Sequence, residues 1–388
     1  MTAQPPPTKV VWITPQADPD ARSGGAQRTL RLLEELAKTF DVEVIVVGDP
    51  RVDAERLKAV TGVAEAVWFP GPHAVRARFL CLRHGWPLAV ARMWNPAVET
   101  VVERHQDAVV VAEYPQAALY APSRPYLLCL QNAEGDRVRR LPAERGPLQR
   151  LQRRWERLRL PMWESRAARG THARVVTVSE ADAITLGVPA TVVANGTVLR
   201  PPRTPAAEGL LLFVGALDYA PNAAGLRWWA ESVWPHLPAG SPRLTVVGRG
   251  GREALGPLAS HESLDVVGEV ADVASYYLAA ALVLVPLLHG GGTRLKILEA
   301  LAWSPPVLST TKGAEGLGLA PSQDLEIADT PADFARMTSQ LLSSPARRLA
   351  LAQAGRLAAN PFSWDLIGRT LADLVRRVDA ERPSPNVS

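Results

Sequence analysis

The sequence predicts an α/β protein made of two doubly wound domains, and three observations carry that expectation. The chain has 388 residues, more than twice the length of a typical domain. Short apolar runs alternate with amphipathic helical stretches along it, the pattern of parallel sheets covered by helices. The alternation pauses at Pro201-Pro202-Arg203-Thr204-Pro205-Ala206-Ala207-Glu208-Gly209 and then restarts, so this stretch reads as a linker and the domain boundary is expected there.

In the first half, Lys9–Thr14 reads as a strand. A polar turn then leads through Ser23-Gly24-Gly25 into a helix over Gln27–Lys38, with Leu30, Leu32, Leu33 and Leu36 as its core face. Val42–Val47 is the second strand and Asp53–Thr61 a helix. From Ala64 to Pro96 only short, irregular elements are expected, because Trp68, Pro70, Pro72, Trp86 and Pro87 break the pattern. Pro96–His105 reads as a helix. Ala108–Ala112 is a strand ending at Glu113, and Tyr126–Leu130 a strand ending at Gln131-Asn132-Ala133-Glu134. Polar residues directly after a parallel strand lie at the carboxyl edge of the sheet, where such proteins bind ligands. Arg-rich helices follow over Arg137–Gly170. Ala173–Val178 is a strand ending at Ser179, whose acidic followers suit a helix N-cap. Val192–Ala194 precedes a turn at Asn195-Gly196.

In the second half, strands are expected at Leu210–Val214, Arg243–Val247, Leu264–Val267, Leu282–Pro286 and Pro306–Thr310, with a last short one at Leu325–Ile327. Helices are expected at Gly225–Trp234, Val273–Leu278, Pro331–Leu342, Pro345–Ala358 and Trp364–Arg377. Two sheets facing across a cleft, with the cleft as the binding site, is the expected arrangement.

Composition narrows the function classes. Hydrophobic residues make up 47% and charged residues 21%, which is ordinary globular usage, and no apolar run approaches the roughly eighteen residues of a membrane span. Met1–Thr8 is polar and proline-rich without an apolar core, so a cytoplasmic rather than secreted protein is expected. The two cysteines, Cys81 and Cys129, read as reduced thiols and imply no metal site. Charge is +4 overall but unevenly spread, with eleven Arg against three Glu between Arg137 and Arg169. That segment reads either as a solvated helix pair or as a surface for an anionic partner, such as lipid for a peripheral membrane contact or a phosphorylated substrate. Nucleic acid is disfavoured, since no nucleic-acid-binding motif accompanies the segment.

The densest chemistry lies at His289-Gly290-Gly291-Gly292-Thr293-Arg294-Leu295-Lys296-Ile297-Leu298-Glu299. An apolar strand feeds three glycines and a helix start, where free amides and the positive dipole end favour a phosphate. On a helical wheel Thr293, Lys296 and Glu299 share one face, while Ile297, Leu298, Leu301 and Ala302 form the buried one. A surface Lys296–Glu299 pair is the bland alternative.

With these residues in view, Phe213-Val214-Gly215-Ala216-Leu217-Asp218-Tyr219-Ala220-Pro221-Asn222, the run Gly290–Ala302, Pro306–Thr310 and Gly313-Ala314-Glu315-Gly316 resemble the GT-B fold retaining glycosyltransferases of family 4. The likeness extends over nearly the whole chain. It implies an acceptor-binding Rossmann-like domain at 1–202, a nucleotide-sugar-binding Rossmann-like domain at 207–362, and a final helix at 363–388 packing back on the first domain. By the same resemblance Gly291, Gly292 and Thr293 offer amides to the donor diphosphate, Arg294 and Lys296 supply cations, and Glu299 binds the ribose. Gly215, Asn222, Gly248, Arg249, Gly268 and Val270 complete the donor side. Gln131, Asn132 and Glu134 join Lys296 as catalytic candidates, and Gly24, Gly25 and Glu113 lie on the acceptor side. The implied partners are a nucleotide-diphosphate sugar and an acceptor of undetermined class (glycan, lipid-linked, natural product or peptide), with no cofactor and no metal.

Departures from the family pattern matter too. Gly291 fills a position where relatives often carry a glutamate. Gln131 stands where they carry histidine, and a glutamine cannot act as a base. Ser304 replaces the usual glycine before the Pro-Val strand, and a change in local packing is expected there. A sugar-nucleotide-binding homologue without turnover is therefore an alternative. An NAD-dependent oxidoreductase built on Gly248-Arg249-Gly250 is a weaker one, since Glu253 replaces the third glycine of that fingerprint.

Overall fold

A computed structural model describes residues 7–20, 24–48, 51–140, 146–206, 209–289 and 295–382. The chain divides into two compact units, Met1–Asn195 with Trp364–Ser388, and Gly196–Ser363.

The first unit contains β1 (Lys9–Thr14), α1 (Gly24–Ala37), β2 (Asp41–Val47), α2 (Ala54–Thr61), β3 (Glu65–Phe69), α3 (Ala74–His84), α4 (Leu88–Ala91) and α5 (Pro96–Arg104). It continues with β4 (Val109–Glu113), β5 (Tyr126–Leu130), α6 (Glu134–Arg140), α7 (Pro147–Ala168), β6 (Ala173–Thr177), α8 (Glu180–Leu186) and β7 (Thr191–Val192). Among the described residues its strands form one parallel sheet in the order β3-β2-β1-β4-β5-β6-β7. Central strands such as β2 and β4 are buried on both faces, which is why Val44–Val47 and Val109–Ala112 read as unbroken Val/Ile/Ala runs.

The second unit contains β8 (Leu210–Val214), α9 (Ala220–Trp228), β9 (Leu244–Val247), α10 (Gly251–Leu255), β10 (Leu264–Gly268), α11 (Ala274–Ala279) and β11 (Ala280–Val285). After these come α12 (Leu295–Trp303), β12 (Val307–Ser309), α13 (Thr311–Ala314), β13 (Glu326–Ile327), α14 (Pro331–Ser343) and α15 (Pro345–Ala358). Its parallel sheet has the order β10-β9-β8-β11-β12-β13. The last helix, α16 (Trp364–Ala380), belongs to the first unit. Its Ile367, Leu371 and Val375 share a core with Trp12 of β1 and Leu33 of α1.

Three features differ from the sequence expectation. The irregular region 64–96 holds β3, α3 and α4. β3 is a half-exposed edge strand, and α3 carries apolar residues on its solvent face as well as its core face, so neither shows a clean periodic signal. The helix expected from Gly225 starts at Ala220, where Pro221 occupies the first turn, and passes into a π-helical turn at Trp229–Val233. The proline-rich stretch is packed onto the second unit instead of serving as a free linker. The Thr197 amide donates to the Phe362 carbonyl (2.7 Å), Arg356 donates to the Arg200 carbonyl, and Arg203 donates to the carbonyls of Tyr277 and Leu278. The division thus falls at Asn195/Gly196.

Candidate functional site

In an open parallel sheet the crevice forms where strand order reverses, because the connections on either side of that point run to opposite faces. In the second unit the reversal lies between β8 and β11. The residues following these strands are Gly215 and the segment leading to α12. Gly290, Gly291, Gly292, Thr293 and Arg294 lie outside the described residues.

Packing fixes the helix that this segment enters. Ile297, Leu298, Ala300, Leu301 and Ala302 are fully buried, which sets the rotation of α12 and leaves Lys296 and Glu299 half-buried on its other side. The Lys296 ammonium donates to Asn222 Oδ1 (2.6 Å) and sits 4.3 Å from the centre of the Phe213 ring. Asn222, itself buried, donates through Nδ2 to the Ala216 carbonyl (2.7 Å), so it ties the loop after β8 to Lys296. A side chain at Gly215 would bring its Cβ within 2.7 Å of Lys296 Nζ, so glycine leaves the ammonium its place. One turn on, Glu299 Oε2 accepts from the Tyr277 hydroxyl (3.2 Å). Burial pushes the Glu299 carboxyl up, against the Tyr277 hydrogen bond and the charges of Arg200 and Lys296. Tyr277 stacks on Trp303, whose ring also carries the Arg200 guanidinium at 4.7 Å.

The other donor-side candidates cluster at the ends of adjacent strands. The Gly215 amide donates to the Val247 carbonyl, and the Gly248 amide to the Gly268 carbonyl. Gly248 and Gly268 both have positive φ, a conformation that suits glycine. Gly248 also packs so closely on the Gly215 backbone that a Cβ would overlap it. Arg249 pairs with Asp218 at 3.4 Å, and Val270 packs at the margin of the core beneath.

The first unit brings its candidates together at its own reversal, between β1 and β4. Glu113, 1% exposed, has both oxygens occupied. Oε1 accepts from Gln131 Nε2 (2.6 Å) and Thr29 (2.9 Å), and Oε2 from Trp12 Nε1 (3.1 Å) and Thr29 (3.0 Å). Burial raises its pKa against the hydrogen bonds from Thr14, Gln131, Thr29 and Trp12. Glu113 therefore organises the site from below its surface. Gln131 Nε2 also donates to the Gly25 carbonyl (3.2 Å), which leaves Oε1 near Gly25 Cα. A Cβ on Gly25 would meet Tyr114 Oη, Gln131 Oε1 and Gln16 Nε2 at 2.7, 2.8 and 2.9 Å, so three polar tips converge over this glycine. Gly24 opens the same helix. Glu134 is buried and held by Arg137 (2.6 and 2.8 Å), and Asn132 donates to it at 3.4 Å.

Sequence reasoning missed four supporting residues. Buried Arg28 donates to the carbonyls of Val193 and Ala194 and to Asn195 Oδ1, pinning the Asn195 turn to α1. Tyr114 occupies φ 69° and ψ 153°, a backbone region almost confined to glycine, at the end of β4. Glu164 of α7 accepts from the amides of Glu134 and Gly135 (both 2.8 Å), and burial pushes its carboxyl up to about 7. Tyr277 is the fourth. In sequence, a buried charge looks like a surface charge, and only the proline at 161 inside an Arg-rich helix marked α7 as unusual. Ser179 is a helix cap, accepting from the Asp182 amide at 3.2 Å.

The two units define an α/β protein of the GT-B class. The fold matches sucrose-phosphate synthase from Thermosynechococcus elongatus (TM-score 0.69, 17% identity, 96% of this chain and 99% of that one). It also matches Anabaena Alr3699/HepE in complex with UDP (TM-score 0.67, 13% identity, 95% and 100%), a protein also solved with UDP-glucose. More specifically, residues 208–344 match the family of glycosyl transferases group 1, so the second unit carries a glycosyltransferase domain. An uncharacterised 44.6 kDa protein in the cps region of Klebsiella pneumoniae is 30% identical over 136 residues. The matched stretch is 32% of this chain and 35% of that protein, so the chain matches about a third of the relative's length.

Proposed function

We propose that the protein is a retaining glycosyltransferase that moves a sugar from a nucleotide-diphosphate sugar to an acceptor without a metal ion. The observation that carries this is the pairing of a held ammonium with a half-buried carboxylate one turn apart on α12, at the strand reversal of a glycosyltransferase domain. In this reading Glu299 accepts hydrogen bonds from the ribose hydroxyls. Lys296, aimed by Asn222 and Phe213, faces the diphosphate. As the sugar–phosphate bond breaks, negative charge grows on the leaving nucleotide, and a preplaced cation stabilises it without reorganisation. Retention follows if the acceptor attacks from the leaving group's face and the departing phosphate takes its proton. Gln131 Oε1, Asn132 and Glu134 of the first unit then take the acceptor. The Anabaena relative binds UDP and UDP-glucose, which makes a UDP-sugar the first donor to try.

A second reading, a sugar-nucleotide binder without turnover, draws on Gln131, whose amide nitrogen is committed to Glu113, Thr29 and Gly25 and which offers no base. Incubation with UDP, GDP, dTDP and ADP sugars separates the two. Donor-dependent thermal stabilisation is expected under both, and nucleotide release only under the first. Stabilisation by NAD and by no sugar nucleotide would overturn both.

A further inference from the structure

Outside this site, two helices of the first unit each present an exposed apolar stripe flanked by arginines. On α3, Val75, Phe79 and Leu82 are 78, 58 and 79% exposed, and their spacing puts them on one face. On α7, Leu151, Leu158 and Met162 are exposed and fall with Arg154 on one stripe. These are not the faces that hold the helices in place. Ala77, Leu80 and Cys81 of α3 pack inward with Ala91 and Trp155 in a small core of their own. The two helices are linked through Trp155 Nε1 on the Trp86 carbonyl (2.8 Å) and through Arg159 Nε on the Gly85 carbonyl (2.6 Å).

Among the described residues of the two helices, the exposed charge has one sign. Arg76, Arg78, Arg83, Arg150, Arg154 and Arg166 are exposed. α3 contains no acidic residue. Both glutamates of α7 are turned inward, Glu156 accepting from the Ala89 amide (2.7 Å) and Glu164 from Glu134 and Gly135. Leucine, methionine and phenylalanine side chains rimmed by guanidinium groups suit the boundary between acyl chains and anionic headgroups, into which arginine stems can snorkel. A second copy of the chain fits poorly, because a two-fold interface would set these arginines against themselves. Nucleic acid would take the charges but leave the aliphatic stripes without stacking partners. No described helix is long and apolar enough to cross a membrane, so contact is by lying on it.

We infer that the α3–α7 face docks the protein on an anionic lipid surface. Resting on the glycosyltransferase reading, this makes the acceptor one that is presented at that surface.

The test is co-sedimentation of the full chain, without any sugar nucleotide, with phosphatidylcholine vesicles that contain or lack phosphatidylglycerol. Binding is expected only with phosphatidylglycerol and should weaken in high salt, by about fivefold for each arginine engaged. The pairs Phe79→Ser with Leu82→Ser, and Leu158→Ser with Met162→Ser, should each lower binding at least about tenfold. Leu357→Ser, an exposed leucine of the second unit, should leave it unchanged. Absence of binding to the anionic vesicles, or binding that both pairs leave intact, overturns the inference, as does a self-association in sedimentation velocity that the pairs abolish. UDP-glucose stabilisation measured in parallel keeps the two claims apart. Lost vesicle binding with intact stabilisation sinks only the docking face, and the converse sinks only the donor reading.

Discussion

Replacing Ser304 by glycine should stabilise the second unit. Ser304 ends α12 with φ 70°, its amide bonded to the Leu301 carbonyl (3.0 Å), and it is 1% exposed. Its hydroxyl has no hydrogen-bond partner. A left-handed conformation costs a residue with a Cβ about 1–2 kcal/mol, and a buried hydroxyl without a partner about 1–3 kcal/mol. Against this, glycine loses about 0.5–1 kcal/mol of extra chain entropy on folding, and the small void left costs up to about 1 kcal/mol. At the centre of these ranges the net expectation is a gain of about 2 kcal/mol, or roughly 4–8 °C in melting temperature for a unit of this size. Differential scanning calorimetry of wild type, Ser304→Gly and Ser304→Ala measures it. Alanine removes the orphan hydroxyl but keeps the backbone strain, so its gain should be smaller than that of glycine by about 1 kcal/mol. A melting temperature that falls in Ser304→Gly, or an alanine variant as stable as the glycine one, would refute the strain argument.

Glu164 gives a pH signature. Burial raises its folded pKa to about 7, so between the ordinary carboxylate range and about 7 the native chain holds a proton that the unfolded chain releases. Its contribution to stability is therefore complete at or below the ordinary glutamate pKa and is lost as pH rises through about 7, on the order of 3 kcal/mol at most. Urea unfolding of wild type and Glu164→Gln across that range checks this, since the glutamine variant should lack the slope; equal slopes would remove Glu164 as the source. Gly25→Ala should leave the fold intact while spreading Tyr114, Gln131 and Gln16, whose polar atoms lie under 3 Å from the added carbon. Transfer activity should fall at least about tenfold with donor affinity unchanged, as steady-state kinetics would show. Gly215→Ala should do the reverse, displacing Lys296 and weakening nucleotide binding about tenfold in calorimetric titration.

Much of the architecture was readable because parallel strands buried on both faces leave continuous apolar runs, as at Val44–Val47 and Ala280–Val285. The wheel drawn for α12 agrees with the burial of Ile297, Leu298 and Leu301. α3 escaped notice because Val75, Phe79 and Leu82 fill what is normally the polar face, erasing its amphipathic period. The supports of the site escaped for another reason. Arg28 and Glu164 act through backbone groups brought near by tertiary packing, and nothing local in the sequence separates them from solvated neighbours. Ser304 was visible as a departure, but its left-handed backbone was not.

The proposed donor site stands or falls on whether Lys296 and Glu299 hold a nucleoside diphosphate on the second unit. Calorimetric titration of UDP into wild type, Lys296→Met and Glu299→Ala, each first shown to melt near the wild-type temperature without ligand, tests it most directly. A loss of at least about tenfold in affinity is expected for each variant, the worth of one charge-assisted hydrogen bond. UDP affinity equal to wild type in both would contradict it.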